Sequence, residues 1–202
     1  MTDRPRLTPA IADVRRAVRE GWDASGVVAG DLVLVACSGG PDSLALAAAV
    51  AFEAPRAGIS AGAVIVEHGI QAITKDVAAR TAEVLRTLGL DPVQVAHVSV
   101  GEDGGPEAAA RAARYEALDE AAAALDAKVV MLGHTLDDQA ETVMLGLARG
   151  SGPRAINGMA VHSGRYLRPL LGIKRETTHA FCEDSGLEPW IDPQNSEDRF
   201  TR

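Results

Sequence analysis

Leu32-Val33-Leu34-Val35-Ala36-Cys37-Ser38-Gly39-Gly40-Pro41-Asp42-Ser43, running on into Leu44-Ala45-Leu46, decides how this 202-residue chain reads. A short apolar run ends in a glycine turn, and an alanine-rich helical pattern follows. That is a buried strand, a tight turn and a helix N-terminus. Such a junction offers an anion backbone N–H groups that have no helical partner. Gly39 and Gly40 let the backbone come close to it. The stretch is neither a P-loop, which needs Gly-Lys-Ser/Thr, nor the Gly-x-Gly-x-x-Gly dinucleotide turn. It therefore points to phosphate binding by another route. The hydroxyls of Ser38 and Ser43 and the loop amides can hold phosphate oxygens. Asp42 would repel bare phosphate, so it implies a bridging cation, most simply Mg²⁺. Gly-Gly alone is also what a turn needs for geometry. Ser-Gly-Gly-x-Asp-Ser in that order after a strand is far more specific.

Outward from this loop the pattern alternates. Residues 9–24 form an amphipathic helix with Thr8 as N-cap and Pro9 at its first position. Strands are expected at 31–36, 63–67, 92–98 and 128–132, and helices at 42–53, 74–88, 106–125 and 136–149. A short strand at 166–171 and a helix at 174–184 follow. The chain divides into an N-terminal helix within 1–30 and one domain over 31–202. The expected fold is α/β: a doubly wound, mostly parallel, five-stranded sheet with helices on both faces. In such sheets ligands bind beyond the carboxyl ends of the strands. The loop 38–43, Glu67-His68-Gly69 and Gly133-His134 all fall there.

Composition narrows the function. Apolar residues make up 47% of the chain and aromatics 3%, so the core is built from Ala, Val, Leu and Ile. Few aromatics are left for base stacking. A net charge of −8 argues against a protein that coats nucleic acid non-specifically. Locally, though, residues 149–175 carry Arg149, Arg154, Arg165, Arg168, Lys174 and Arg175 and no acid. Charge alone leaves a solvated surface and a phosphate-facing surface equally open. Cys37 and Cys182 are far apart and form no Cys-x-x-Cys, which fits a reducing cytoplasm. The longest apolar run, 44–52, is too short to cross a membrane, and residues 1–9 lack a signal-peptide core.

Three further groups carry chemistry. In Gly133-His134-Thr135-Leu136-Asp137-Asp138-Gln139-Ala140-Glu141-Thr142, helical spacing puts 134, 138 and 141 on one face and 137 over 141. A Thr135–Asp138 capping box explains one of these acids, but not His134, Asp137 and Glu141 together with it. In residues 107–115, Glu107, Arg111 and Arg114 share a helix face, as they would in any salt-bridged helix. His68, after a strand, is more simply structural, although it lies at the pocket edge.

Together these motifs resemble the N-type ATP pyrophosphatases, whose PP-loop is Ser-Gly-Gly-x-Asp-Ser, and among them the tRNA(Ile)-lysidine synthetases. Val66-Glu67-His68-Gly69-Ile70, Glu107 through Arg111 and Arg114 to Tyr115, and Leu132 through Glu141 to Gly152 match in order. Gly158-Met159, Arg168-Pro169-Leu170-Leu171 and Trp190-Ile191-Asp192-Pro193 to Asn195 follow. The chain departs from the pattern at Glu67, Gln71, Thr135 and Gly146. The last signature breaks off at Arg202, the pattern of a fragment without the family's C-terminal tRNA-binding domains.

The resemblance implies an adenine nucleotide alpha-hydrolase-like fold and use of ATP and Mg²⁺. Ser38, Gly39, Gly40, Pro41, Asp42, Ser43, His68 and Gly133 would hold the nucleotide, with Asp42 on the metal. His134 would contact the adenylate. Asp137, Asp138 and Glu141 would bind the ammonium of L-lysine or take its proton. Arg111, Arg114, Arg149 and Arg168 would face a tRNA(Ile) with a CAU anticodon. A tRNA-thiolating relative is the nearest rival, but such enzymes use paired cysteines. A non-catalytic ATP-binding module is another; it would not need the cluster from His134 to Glu141.

Overall fold

In the computed structural model the described residues are 7–67, 72–98, 105–150 and 156–190. The elements run α1 (Pro9–Ser25), β1 (Leu32–Ala36), α2 (Pro41–Ala57), β2 (Ser60–Glu67), α3 (Ala72–Thr87), β3 (Val93–His97), α4 (Pro106–Ala124), β4 (Val129–Leu132) and α5 (Leu136–Ala148). After these come β5 (His162–Ser163), β6 (Tyr166–Leu167), a 3-10 turn (Pro169–Gly172) and α6 (Arg175–Asp184). Proline opens α1, α2 and α4, where the missing N–H costs nothing. Thr8 caps α1, its hydroxyl accepting from the Ile11 amide. Helix α2 runs past Pro55, four residues beyond the Glu53 end read from sequence, and stops at Gly58 in the left-handed conformation.

Among the described residues the sheet has six strands, not five, in the order β3-β2-β1-β4-β6-β5. Neighbours are parallel except β5, which pairs antiparallel with β6 at the edge. Two exposed polar residues, His162 and Ser163, make up β5, so no apolar alternation announces it. The strand expected over 166–171 is only Tyr166–Leu167; Pro169 cannot donate to a ladder and opens the 3-10 turn instead.

Strand β1 is central and alternates. Val33 and Val35 face one layer with α1, α2, α3 and α6, while Leu34 and Ala36 face α4 through Leu118, Ala121 and Ala122. Each such Val or Leu contributes about 1.5–3 kcal/mol by leaving water. Helix α1, set apart in the sequence, packs into the same core through Ile11, Val14, Val18 and Trp22, and the Trp22 indole N–H meets Met131 Sδ of β4 at 3.4 Å. On the other side Tyr166 and Tyr115 stack edge to face at 4.9 Å, and Tyr166 donates to Asp119 at 2.8 Å. Helix α5 has no buried residue. No helix among the described residues is long and apolar enough to cross a membrane.

Register fixes where the site lies. Ala36 is paired with Leu132 on one side, so β1 and β4 end together, while on the other side β2 pairs Val64 with Ala36 and runs on to Glu67 at the same end of the sheet. The loop after β1, Glu67 and Gly133-His134 therefore meet at one edge. Sequence order reverses there between β1 and its neighbours, which is where open α/β sheets take their ligands.

Candidate active site at the strand ends

The loop after β1 is closed by Ser43. Its hydroxyl accepts from the Ser38 amide at 3.2 Å, lies 3.2 Å from the Ser38 hydroxyl and donates to the Gly40 carbonyl at 3.0 Å. Ser43 is buried and Ser38 exposed. Ser43 thus shapes the loop, and the exposed Ser38 lays its hydroxyl against that of Ser43. Gly39 has φ +87°, and a Cβ there would lie 2.5 Å from Thr81 Oγ1, so only glycine fits. Gly40 is the N-cap of α2 and Asp42 lies in its first turn, where the amides have no helical partner. The Trp190 amide donates to the Gly39 carbonyl at 2.9 Å, drawing the chain after α6 over the loop. A cavity of about 210 Å³ opens beside it, lined among others by Ser38, Val64, Glu67, Val77, Arg114 and Trp190. Glu67 accepts from or donates to His97 Nδ1 at 2.9 Å, according to the imidazole tautomer.

Gly133 has a second use. A Cβ on it would lie 3.0 Å from Ser43 Cα and 3.1 Å from the Asp42 carbonyl, so its absence lets β4 end directly against the phosphate loop. His134 comes next, ahead of the helix rather than on it. The expected face of 134, 138 and 141 is corrected accordingly, because Thr135 is the N-cap and Leu136 the first helical residue. Burial, followed by the charges of Arg168 and Arg114, lowers the His134 pKa to about 4, with Asp138 opposing. Among the described residues its Nδ1 is buried without a hydrogen-bond partner, as is Nε of Arg168, a residue only 9% exposed whose Nη1 donates to the Ala160 carbonyl. Arg114 faces the same region, and burial lowers its pKa.

A neutral His134 couples the fold to pH. Its folded pKa lies below the unfolded value near 6.5, so between about 6.5 and 4 the unfolded chain binds more protons. Stability from this residue is complete above pH 6.5 and is lost as pH falls towards 4. We expect His134→Asn to flatten that part of a plot of unfolding free energy against pH. An unchanged slope in the variant would place the proton elsewhere.

The acids on α5 are engaged. Asp138 Oδ2 accepts from the Thr135 amide at 2.7 Å and the Thr135 hydroxyl at 2.9 Å, as the capping reading requires. Asp138 Oδ1 pairs with Arg175 Nη2 at 2.7 Å, and Asp137 accepts from the Arg175 amide at 2.8 Å. Arg175 Nε also lies 3.6 Å from Asp42 Oδ2, while Asp42 Oδ1 accepts from the Thr178 hydroxyl. Burial raises the Asp42 pKa; Thr178 and Arg175 oppose that and Asp138 adds to it. Gln139 clamps the loop before β5, donating to the Met159 carbonyl at 3.0 Å and accepting from its amide at 2.7 Å. Glu141 is exposed.

The strand ends thus bring together Ser38, Gly39, Gly40, Pro41, Asp42, Ser43, Gly133, His134, Asp138, Arg114 and Arg168. Arg111 stays exposed against Tyr115, its Nη2 3.5 Å from the phenol oxygen. Arg149 caps the far end of α5, about 18 Å along the helix from Asp137. His68 lies outside the described residues, as do the side chain of Glu107, Arg154 and the signature from Ile191 on. Arg175, Thr178 and Trp190 were missed as site residues. Arg175 stood in the basic run, but nothing local tied it to Asp42.

A divalent cation fits part of this set. Asp42 Oδ2 makes a charge contact but no hydrogen bond to Arg175, and Asp42 lies in the first turn of α2. Mg²⁺ commonly takes one or two carboxylates and completes its shell with phosphates and water. No cluster of three or more His, Cys, Asp or Glu among the described residues could hold a metal without such help. Both thiols are buried, and burial first among the causes raises their pKa values, that of Cys182 to about 12, so they stay protonated near neutrality.

A strand, a glycine loop closed by two serines and an aspartate at the helix N-terminus define a phosphate-binding α/β domain. The PP-loop domain model matches residues 14–202, and the chain belongs to that ATP-binding family. It is 61% identical over 173 residues to a tRNA(Ile)-lysidine synthase of Leifsonia xyli, covering 86% of this chain and 52% of that protein. To one from Thermobifida fusca it is 55% identical, covering 96% and 59%. To one from Streptomyces coelicolor it is 56% identical, covering 89% and 52%. The chain therefore spans about half the length of these curated relatives. Among solved structures it is similar to the U34-tRNA thiolase NcsA of Methanococcus maripaludis with its [4Fe-4S] cluster, at TM-score 0.77 and 20% identity over 91% of this chain and 66% of that one. That likeness is one of fold.

Proposed function

We propose that this chain carries the catalytic part of a cytoplasmic tRNA(Ile)-lysidine synthase. In the proposed reaction the C2 carbonyl oxygen of the CAU wobble cytidine attacks the α-phosphorus of ATP and pyrophosphate leaves. The amine of L-lysine, having lost a proton, then attacks C2, and AMP leaves with the former carbonyl oxygen. The observation that carries the reading is the meeting of a PP-loop with His134 and the acids of α5 at one sheet edge, in a chain over half identical to lysidine synthases.

The roles follow from the contacts. The α2 amides and the Ser38 hydroxyl bind the departing pyrophosphate, whose charge grows as the bond breaks. Asp42, together with the phosphates, would hold Mg²⁺, which would supply further charge neutralisation. The cavity beside Glu67, Val77 and Trp190 takes the adenosine. Arg114 lies between it and the strand-four end, suited to the α-phosphate. Neutral His134 offers an uncharged hydrogen-bonding edge to the adenylated base. Asp137 and Asp138 are tied to Arg175, while Glu141 is exposed on the same helix and suited to receive the lysine ammonium and its proton. Arg111 and Arg149, both exposed, are suited to RNA phosphates, whereas Arg168 is buried beside His134 and is not part of that surface; the target base is splayed out of its single-stranded loop.

The test incubates the chain, and in parallel the product of its complete gene, with ATP, Mg²⁺, a tRNA(Ile) transcript bearing CAU and labelled lysine. Label is expected in the tRNA, dependent on ATP. A complete protein that releases pyrophosphate with this tRNA yet never transfers lysine would reject the reading and favour the thiolation alternative.

A further inference from the structure

Arg175 stands where a cation is needed. Asp42 and Asp138 come from different elements, α2 and α5, and the charge of Asp138 raises the cost of that on Asp42. One guanidinium spans them, with Nη2 2.7 Å from Asp138 Oδ1 and Nε 3.6 Å from Asp42 Oδ2. The two contacts are unequal. That to Asp138 is a charge-assisted hydrogen bond; that to Asp42 is electrostatic contact only, beyond hydrogen-bond range. Thr178, one turn along α6, holds the other Asp42 oxygen, so the carboxylate is oriented with its weakly held oxygen towards Arg175. The Arg175 side chain is 45% exposed, so it can swing out without opening the core. Its backbone stays anchored, because its amide is bound by Asp137.

We propose that Arg175 is a resident counter-cation, a positioning residue that balances Asp42 and Asp138 in the nucleotide-free protein and yields Asp42 when Mg²⁺ arrives with nucleotide. The inference rests on the proposed role of Asp42 as the metal-facing carboxylate, but not on lysine or tRNA. It makes the first turn of α6 the part of the fold that feels whether the site is loaded. The guanidinium and the ion compete for one carboxylate oxygen, so removing the guanidinium strengthens the ion's hold. A residue that merely braced the structure would do the opposite.

The experiment measures the affinity of α,β-methylene-ATP, whose bridging carbon blocks pyrophosphate release, by fluorescence of Trp190 at the cavity wall, with Mg²⁺ and with EDTA. In Arg175→Gln the affinity with Mg²⁺ is expected to tighten about fivefold, the scale of one partly exposed ion pair, and with EDTA not to tighten. Arg175→Lys keeps the charge and loses the fork; a gain of about twofold is expected, and it carries the test if the glutamine variant does not fold. In the wild-type protein the Arg175 Nε–Hε NMR resonance is expected to shift with Mg²⁺-nucleotide and not with nucleotide in EDTA. Weaker or unchanged affinity with Mg²⁺, no Mg²⁺-dependent binding, or an unmoved resonance would each overturn the proposal. A protein that passes these tests and makes no lysidine refutes the proposed function alone.

Discussion

Asp42→Ala is expected to reduce ATP-dependent pyrophosphate release by at least about a hundredfold while leaving the protein folded. The scale is that of removing one preorganised group from a site of developing charge. The carboxylate sits in the first turn of α2, within the loop that Ser43 closes, and among the described residues its Oδ2 has no hydrogen bond to give up. Burial already raises its pKa, so its charge is held at a cost to the fold. Asp42→Asn keeps the shape and can still meet the Thr178 hydroxyl. It is therefore expected to melt within about 0.5 kcal/mol of wild type while losing activity to a similar degree. A coupled pyrophosphate assay beside thermal melts separates the two effects. Turnover retained in either variant would show that the metal-facing role belongs to another group.

Gly133→Ala is expected to damage stability and nucleotide binding together. Its new Cβ would press on Ser43 Cα and the Asp42 carbonyl, at 3.0 and 3.1 Å. These are backbone atoms of the phosphate loop and cannot rotate away. Overpacking of this kind costs about 1–3 kcal/mol, and relief comes by pushing the loop off the strand end. Nucleotide affinity is expected to fall at least about tenfold, since the loop's geometry is what it alters. Gly172→Ala is the control: nothing lies within 4 Å of its added carbon, and it should bind nucleotide as the wild type does. Equal affinities in the two variants would mean that the close approach at Gly133 serves packing alone.

Much of this architecture is legible because it is written locally. Proline at the first position of α1, α2 and α4, and apolar runs ending at Ala36, Glu67 and Leu132, announce elements without reference to the rest of the chain. The loop at 38–43 and the Thr135–Asp138 cap are equally local. What could not be read is tertiary. Nothing near Arg175 says that it reaches Asp138, 37 residues away, or Asp42 on another helix. The neutral state of His134 depends first on burial and then on Arg168 and Arg114, which follow β6 and lie on α4. Strand β5 was missed because a two-residue polar edge has no periodicity to detect. Ser43 was read as a phosphate ligand from its place in the motif; its hydroxyl is turned inward to hold the loop.

Helix α5 carries Asp137, Asp138 and Glu141 yet buries none of its residues. Its described attachments are few and mostly polar: the Gln139 clamp on Met159, the two acids on Arg175 and the Leu136 amide on the Ile173 carbonyl. Such an element opens by local unfolding at a free energy well below that of the whole domain. Its amides should accordingly be among the first helical ones to exchange with deuterium, ahead of those of α2. The acids proposed to meet the incoming amine thus ride on a helix that is cheap to rearrange, while the loop proposed to grip the pyrophosphate is anchored to a buried one.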